Sequence, residues 1–263
     1  MFKKKSLIKN KEEILLLFTY FLLATLFVLY LKTNYLVTVF LYFAVPSIYI
    51  SIKNKSLIRK TALFSLASSL PLVFVFDYIA HVSSIWYENS VIGIRILNTF
   101  PVDTFLWGFL YAYFIISFYE YFFDKDKNKK KISKDFKILL YVFSGVIFLF
   151  GLFYFFAQQL LIIQQFYIFF VIFAMIVPII LVLYRYPKLR QKIWLMTGYF
   201  FIISFIYELV AIYLGYWYFY SSQIYIGMLN IFGFRFPIEE FLWLVFAVPA
   251  ILCVYEYFAD DKK

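Results

Sequence analysis

The sequence predicts an all-α polytopic membrane protein of about eight transmembrane helices, arranged as two parallel four-helix repeats. Three observations predict it. Of 263 residues, 65% are hydrophobic and 15% charged, against about 45–50% and about 25% in soluble domains. The apolar residues gather in runs close to the roughly 20 residues that cross a bilayer. Finally, 22 of the 25 Lys and Arg fall in alternate connections between those runs. The composition excludes a disordered chain, a nucleic-acid-binding domain and an ordinary soluble enzyme.

The first run, 14–31, follows the basic start MFKKKSLIKNKEE, as a signal peptide would. It is long, ends at Lys32 and has no small-residue cleavage site, which predicts a retained span. The second run, 35–52, contains Val45-Pro46. The third, 61–80, carries Asp77 toward its far end, and the fourth, 102–123, opens on Pro101-Val102-Asp103. The basic stretch DKDKNKKKISKD then divides the chain into halves 1–130 and 131–263. Runs five to eight are 136–157, 160–184 (with Val177-Pro178), 195–214 (with Glu208) and 238–258, which opens on Pro237-Ile238-Glu239-Glu240.

The opposite side holds only Lys32, Arg95 and Arg235. The positive-inside rule therefore predicts an integral cell-membrane protein with both termini cytoplasmic and an even number of spans. The net charge of +10 reads as topological, with membrane lipids rather than nucleic acid as its partner.

The halves repeat. FPVDTFLWGFLYAYFIISFYEYFFD (100–124) aligns without gaps on FPIEEFLWLVFAVPAILCVYEYFAD (236–260), with eleven of 25 positions identical. Upstream, Asp77 precedes Trp86 by nine residues, and Glu208 precedes Trp217 by nine. Four spans per half, an even number, insert both halves in the same direction, related by an axis along the membrane normal.

Soluble-enzyme motifs are missing. The single Cys253 forbids an internal disulfide, and the single His81 forbids a multi-histidine metal site. There is no GxGxxG or GxxxxGK[ST], so neither a cofactor nor a metal is expected.

What the spans do hold is carboxylates: Asp77, Asp103, Glu120, Glu208, Glu239, Glu240 and Glu256, with no Lys or Arg inside the third to eighth runs except Lys137 at the edge of the fifth. An ionisable group at membrane depth costs at least about 2.5–3.5 kcal/mol at a helix centre and marks function by default. Glu120 and Glu256, each flanked by two Tyr, read as carboxylates snorkelling to the headgroups. Glu208 lies deepest, roughly 9 Å of helix below the span end. Asp103, Glu239 and Glu240 also fit ordinary helix-start chemistry after proline. His81, one turn after Asp77, reads as a surface residue, its counterpart being Ile212.

Trp86, Trp217 and Tyr218 stand beside the acids, as interfacial anchors or as walls of a site, and Trp107 and Trp243 follow the helix starts. A protonated carboxyl can deliver a proton, and an ionised neighbour can stabilise a cation or take a proton back. Aromatic faces stabilise cations through their quadrupole. Acids and ring faces without a nucleophile suit carbocation chemistry.

These residues resemble the lycopene cyclase domain family, the small integral-membrane type found as heterodimers or fused pairs. The resemblance rests on Glu208…Gly215-Tyr216-Trp217-Tyr218…Ile226-Gly227-Met228…Pro237-Ile238-Glu239-Glu240-Phe241-Leu242-Trp243, and on Asp77…Ile85-Trp86-Tyr87…Ile92-Gly93-Ile94…Pro101-Val102-Asp103-Thr104-Phe105-Leu106-Trp107 in the first half. It implies cyclisation of the ends of lycopene or a similar acyclic carotenoid, by protonation, carbocation attack and deprotonation without net redox change. Glu239 or Glu240 would donate the proton, with Glu208, Asp77 and Asp103 as supporting acids. Asp103-Thr104 departs from the paired-acid pattern. A carotenoid hydratase and a parallel-repeat transporter are the alternatives.

Overall fold

The computed structural model describes residues 10–124, 132–220 and 222–260. Among these described residues, eight helices are long and apolar enough to cross a membrane: α1 (Lys11–Leu31), α2 (Tyr35–Lys53), α3 (Lys55–Val82), α4 (Val102–Phe122), α5 (Phe136–Phe156), α6 (Phe166–Arg185), α7 (Pro187–Leu214) and α8 (Ile238–Phe258). The chain is an all-α polytopic membrane protein. Against the sequence reading, α3 and α7 start earlier, in the basic connections, and α6 starts later. Gln158–Leu161 forms a separate short 3-10 turn.

The helices pack in matched pairs. α3 lies on α4 and α7 on α8; α2 lies on α4 and α6 on α8. α1 packs on α7 of the other half, and α5 packs on α3 of the other half. Both α2 and α6 contain a wide π-helical turn, Phe40–Ala44 and Val171–Ile176, just ahead of Pro46 and Pro178. Proline has no N–H and its ring crowds the carbonyl one turn back, and in these two helices the backbone accommodates it by widening; α8 carries Pro249 without a wide turn. In α3 a third wide turn, Leu72–Asp77, follows Pro71 and ends on Asp77.

The connections at one end are short strands, which the hydropathy pattern does not predict. β1 (Trp86–Glu88) pairs antiparallel with β4 (Trp217–Phe219), with Tyr87 opposite Tyr218. Those tyrosines occupy matched places in the two halves, so the ribbon has local two-fold symmetry. Gly215, at φ 70°, ends α7 in the left-handed conformation and turns the chain toward β4; only glycine adopts it without strain. Two hairpins complete the end. β2 (Arg95–Ile96) pairs with β3 (Phe100–Pro101), and β5 (Met228–Ile231) with β6 (Phe234–Pro237). Their tight turns carry positive φ at Leu97-Asn98 and Phe232-Gly233, which matches the twist of the flanking strands. Each hairpin delivers a proline as the residue before a helix, Pro101 for α4 and Pro237 for α8.

The other end corrects the sequence reading of Glu120 and Glu256. Neither snorkels: they are buried, at 5% and 1% exposure. The buried Lys60 Nζ lies 2.8 Å from both Glu120 and Asp260. Because α3 begins at Lys55 and α7 at Pro187, Lys60 and Lys192 lie inside helices, so the spans are not without bases. The expectation failed because hydropathy averages over a window and places a lone lysine in the loop it adjoins.

Candidate functional site

The site lies under the strand-bearing end. The Trp86 indole N–H donates to Asp77 Oδ1 at 2.9 Å, and the Trp217 indole N–H donates to Glu208 Oε1 at 2.9 Å. The nine-residue spacing seen twice in the sequence is therefore the spacing of two indole–carboxylate hydrogen bonds. β1–β4 pairing holds both indoles over the acids and sets Glu88 opposite Trp217.

Beside Glu208 stands Glu240, on the first turn of α8. The two carboxyls interact with each other, and Tyr167 of α6 donates to Glu240 Oε2 at 2.5 Å. Two carboxylates that share a buried site repel each other when both are ionised, and a proton on one relieves the repulsion. On the facing wall, Asp77, His81 and Glu88 form a second cluster. His81 Nε2 lies 2.9 Å from Glu88 Oε2, and Nδ1 lies 3.1 Å from the Asp77 backbone oxygen and 3.6 Å from its Oδ1. The imidazole side chain is 6% exposed, so His81 is not the surface residue its position at a helix end predicts. Burial, and next the charge of Asp77, push the Glu88 carboxyl up from 4.5 to about 8.

Between the clusters is a cavity of about 100 Å³, onto which Asp77, Glu88 and Glu240 open together with the rings of Tyr35, Trp86, Tyr167 and Trp217. Phe76, Trp107, Phe170 and Trp243 line it as well, and the same four line a second, apolar cavity of about 1320 Å³ between α3, α4, α5, α6 and α8. At the junction Trp107 stacks on Trp243 at 5.7 Å between ring centres, and Tyr111 stacks on each of them at 5.6 Å. Phe169 and Phe173 of α6 line the large cavity and are 46% and 65% exposed, which places part of its wall on the lipid-facing surface.

Of the residues singled out in the sequence, Asp77, Glu240, Trp86, Trp217, Trp107 and Trp243 line the small cavity, and Glu208 reaches it through Glu240. Asp103 and Glu239 are buried and turned to the loops instead. Asp103 Oδ2 accepts from Ser90 Oγ (2.7 Å), Val91 N (2.9 Å) and Ile92 N (3.4 Å), and Glu239 Oε1 accepts from Ile226 N (2.7 Å). Tyr218 is 46% exposed and packs on Tyr87. Glu88, Tyr35 and Tyr167 are functional candidates the sequence reading did not select. Glu88 sits in a polar connection and its counterpart is Phe219, so the repeat gave it no mark; its place opposite Trp217 was the only signal available.

Among the described residues, two clusters bring three metal-ligand-type atoms within 4.8 Å of one another, Asp77–His81–Glu88 and Glu120–Asp124–Asp260. In each, a basic side chain of the chain itself sits among the carboxylates: His81 in the first and Lys60 in the second.

No protein-family model matches the chain, and no curated protein or solved structure is similar to it.

Proposed function

We propose that the protein is a membrane-embedded cyclase of acyclic carotenoid ends, lycopene or a close relative. The observation that carries the reading is the joining of two cavities. A large apolar cavity, partly walled by lipid-facing phenylalanines, abuts a small compartment walled by carboxyls and aromatic faces. A long apolar polyene taken from the bilayer would lie in the first and extend one end into the second. Its volume exceeds the roughly 300–1,000 Å³ of ordinary small-molecule pockets.

In this reading, the proton on the Glu208–Glu240 pair goes to a terminal double bond, forming one C–H bond and a tertiary cation. A neighbouring double bond attacks the cation and closes the ring. A C–H bond next to the new cation then breaks, restoring a double bond and returning a proton to the protein. Atoms and electrons balance with no redox partner. Trp86, Trp217 and Tyr35 present ring faces or edges to the compartment, where a desolvated cation gains most from a π face. The small volume of the compartment also limits water, which would convert cyclisation into hydration.

The test is expression in lycopene-accumulating bacteria followed by pigment chromatography. Cyclised products support the reading; hydroxylated acyclic products point to a hydratase. Unchanged lycopene beside a folded, membrane-inserted protein refutes both.

A further inference from the structure

The two walls of the small compartment are chemically unequal, although they come from matched parts of the repeat. The second half contributes Glu240, where the first has Thr104. The first half contributes His81 and Glu88, where the second has Ile212 and Phe219. Each half keeps a protonic group that the other lacks, and only the indole–carboxylate bonds are common to both. Had the repeat kept two equivalent centres, each wall would hold both sets.

We propose that the Asp77–His81–Glu88 cluster is the proton acceptor of the reaction, set across one compartment from the Glu208–Glu240 donor pair. This rests on the reading under Proposed function and deepens it. Asp77 and Glu88 line the compartment, and His81 stands behind them in contact with both. The carboxyl pair touches the polyene end and is catalytic; His81 is a positioning residue that shares the proton. When the ring cation forms, a C–H bond beside it breaks. Its electrons form the ring double bond, and its proton passes to the Asp77–Glu88 carboxyls, leaving when the product departs and water enters.

The groups facing His81 support this. From its own helix it meets Asp77. From β1 it meets Glu88 and the ring of Tyr87, 6.1 Å away between centres. Arg95 caps the group, 4.6 Å from the Tyr87 ring and 2.7 Å from the Glu88 backbone oxygen. Tyr35 of α2 lines the same compartment. Raised to about 8, Glu88 titrates near working pH, where a group both takes and releases protons.

The acceptor's position decides which C–H bond breaks, and so which ring isomer forms. Glu88→Gln and His81→Gln are therefore compared with the parent in purified, lipid-reconstituted protein. Glu88→Gln should still consume the polyene but change the isomer ratio of the rings or release hydrated rings. A change in the donor pair, Glu240→Gln or Glu208→Gln, should instead slow consumption itself by about 10²-fold or more. His81→Gln should move the pH profile of turnover more than ten-fold at its slower limb while binding is unchanged. Both acceptor variants giving the parent's rate, isomers and pH profile would overturn the proposal.

A second measurement needs no substrate. The infrared carboxyl band that disappears in Glu88→Gln should titrate at a different pH in His81→Gln; an unmoved band refutes proton sharing. A parent that shows the shared titration yet converts no polyene refutes cyclisation, and with it the acceptor role, while leaving the proton-sharing cluster in place.

Discussion

Tyr119 donates its hydroxyl hydrogen bond to Glu256, and Tyr255 donates the same bond to Glu120. In the sequence these are the first two letters of a repeated Tyr-Glu-Tyr-Phe. In the structure they are exchanged, each half's tyrosine serving the other half's glutamate. Lys60 adds to the exchange by binding Glu120 of its own half and Asp260 of the other, while Lys192 binds Asp124 across the halves at 3.2 Å. The end opposite the cavity is therefore a clamp between the halves.

Removing one member of that clamp should destabilise the fold while leaving the chemistry intact. Lys60→Met leaves buried Glu120 and Asp260 without their cation, a loss of about 3–5 kcal/mol. Thermal unfolding in detergent should shift down markedly, with the ring products of surviving protein unchanged. A Tm equal to the parent's would show that the clamp bears no load.

Asp103 and Glu240 should separate structural acids from chemical ones. Asp103→Asn keeps one acceptor oxygen for the Ser90–Ile92 loop and lines neither cavity. Glu240→Gln or Glu208→Gln removes one carboxyl of the proposed donor pair. On variants of equal membrane expression, at least one glutamate change should cost about 10²-fold or more in rate, and Asp103→Asn less than that. The reverse order would move the chemistry to the other half.

Glu88 gives stability a definite pH dependence. Its folded value of about 8 lies above the ordinary 4.5, so the folded state holds a proton that the unfolded state releases. Its contribution is fully present below pH 4.5 and is lost as pH rises through 8. Glu88→Gln should flatten the decline in Tm between those limits. Since roughly 2–4 °C accompanies each kcal/mol in a chain of this size class, the change is measurable. A parallel pair of Tm–pH curves would contradict it.

Topology is tested by labelling. In a Cys253→Ala background, a cysteine at Asn128, in the basic linker, should react with a membrane-impermeant maleimide only after cells are opened. One at Val91, beside the strands, should react in intact cells. The opposite pattern would invert the orientation that the basic residues predict.

Much of the fold was legible because hydropathy is a local property: a span announces itself in some 20 consecutive residues, whatever surrounds it. The repeat was legible for the same reason, and it also marked the two indole–carboxylate bonds, since Asp77 and Trp86 lie within one helix–strand connection. The sequence alone determined the eight spans, the side of the membrane its basic charge favours, and a set of acids that need an explanation. Only the tertiary structure decided what those acids meet. Glu208 and Glu240, 32 positions apart in the chain, stand side by side. Tyr119 and Glu256 meet across 137, and His81 becomes buried only when β1 folds back over it to bring Glu88. Asp103 and Glu239 look identical to Glu240 in the sequence, as acids one turn into a helix. Their side chains leave the helix about 100° apart per residue, so one points to a loop backbone and its neighbour to the cavity, and only the packing around the helix fixes which.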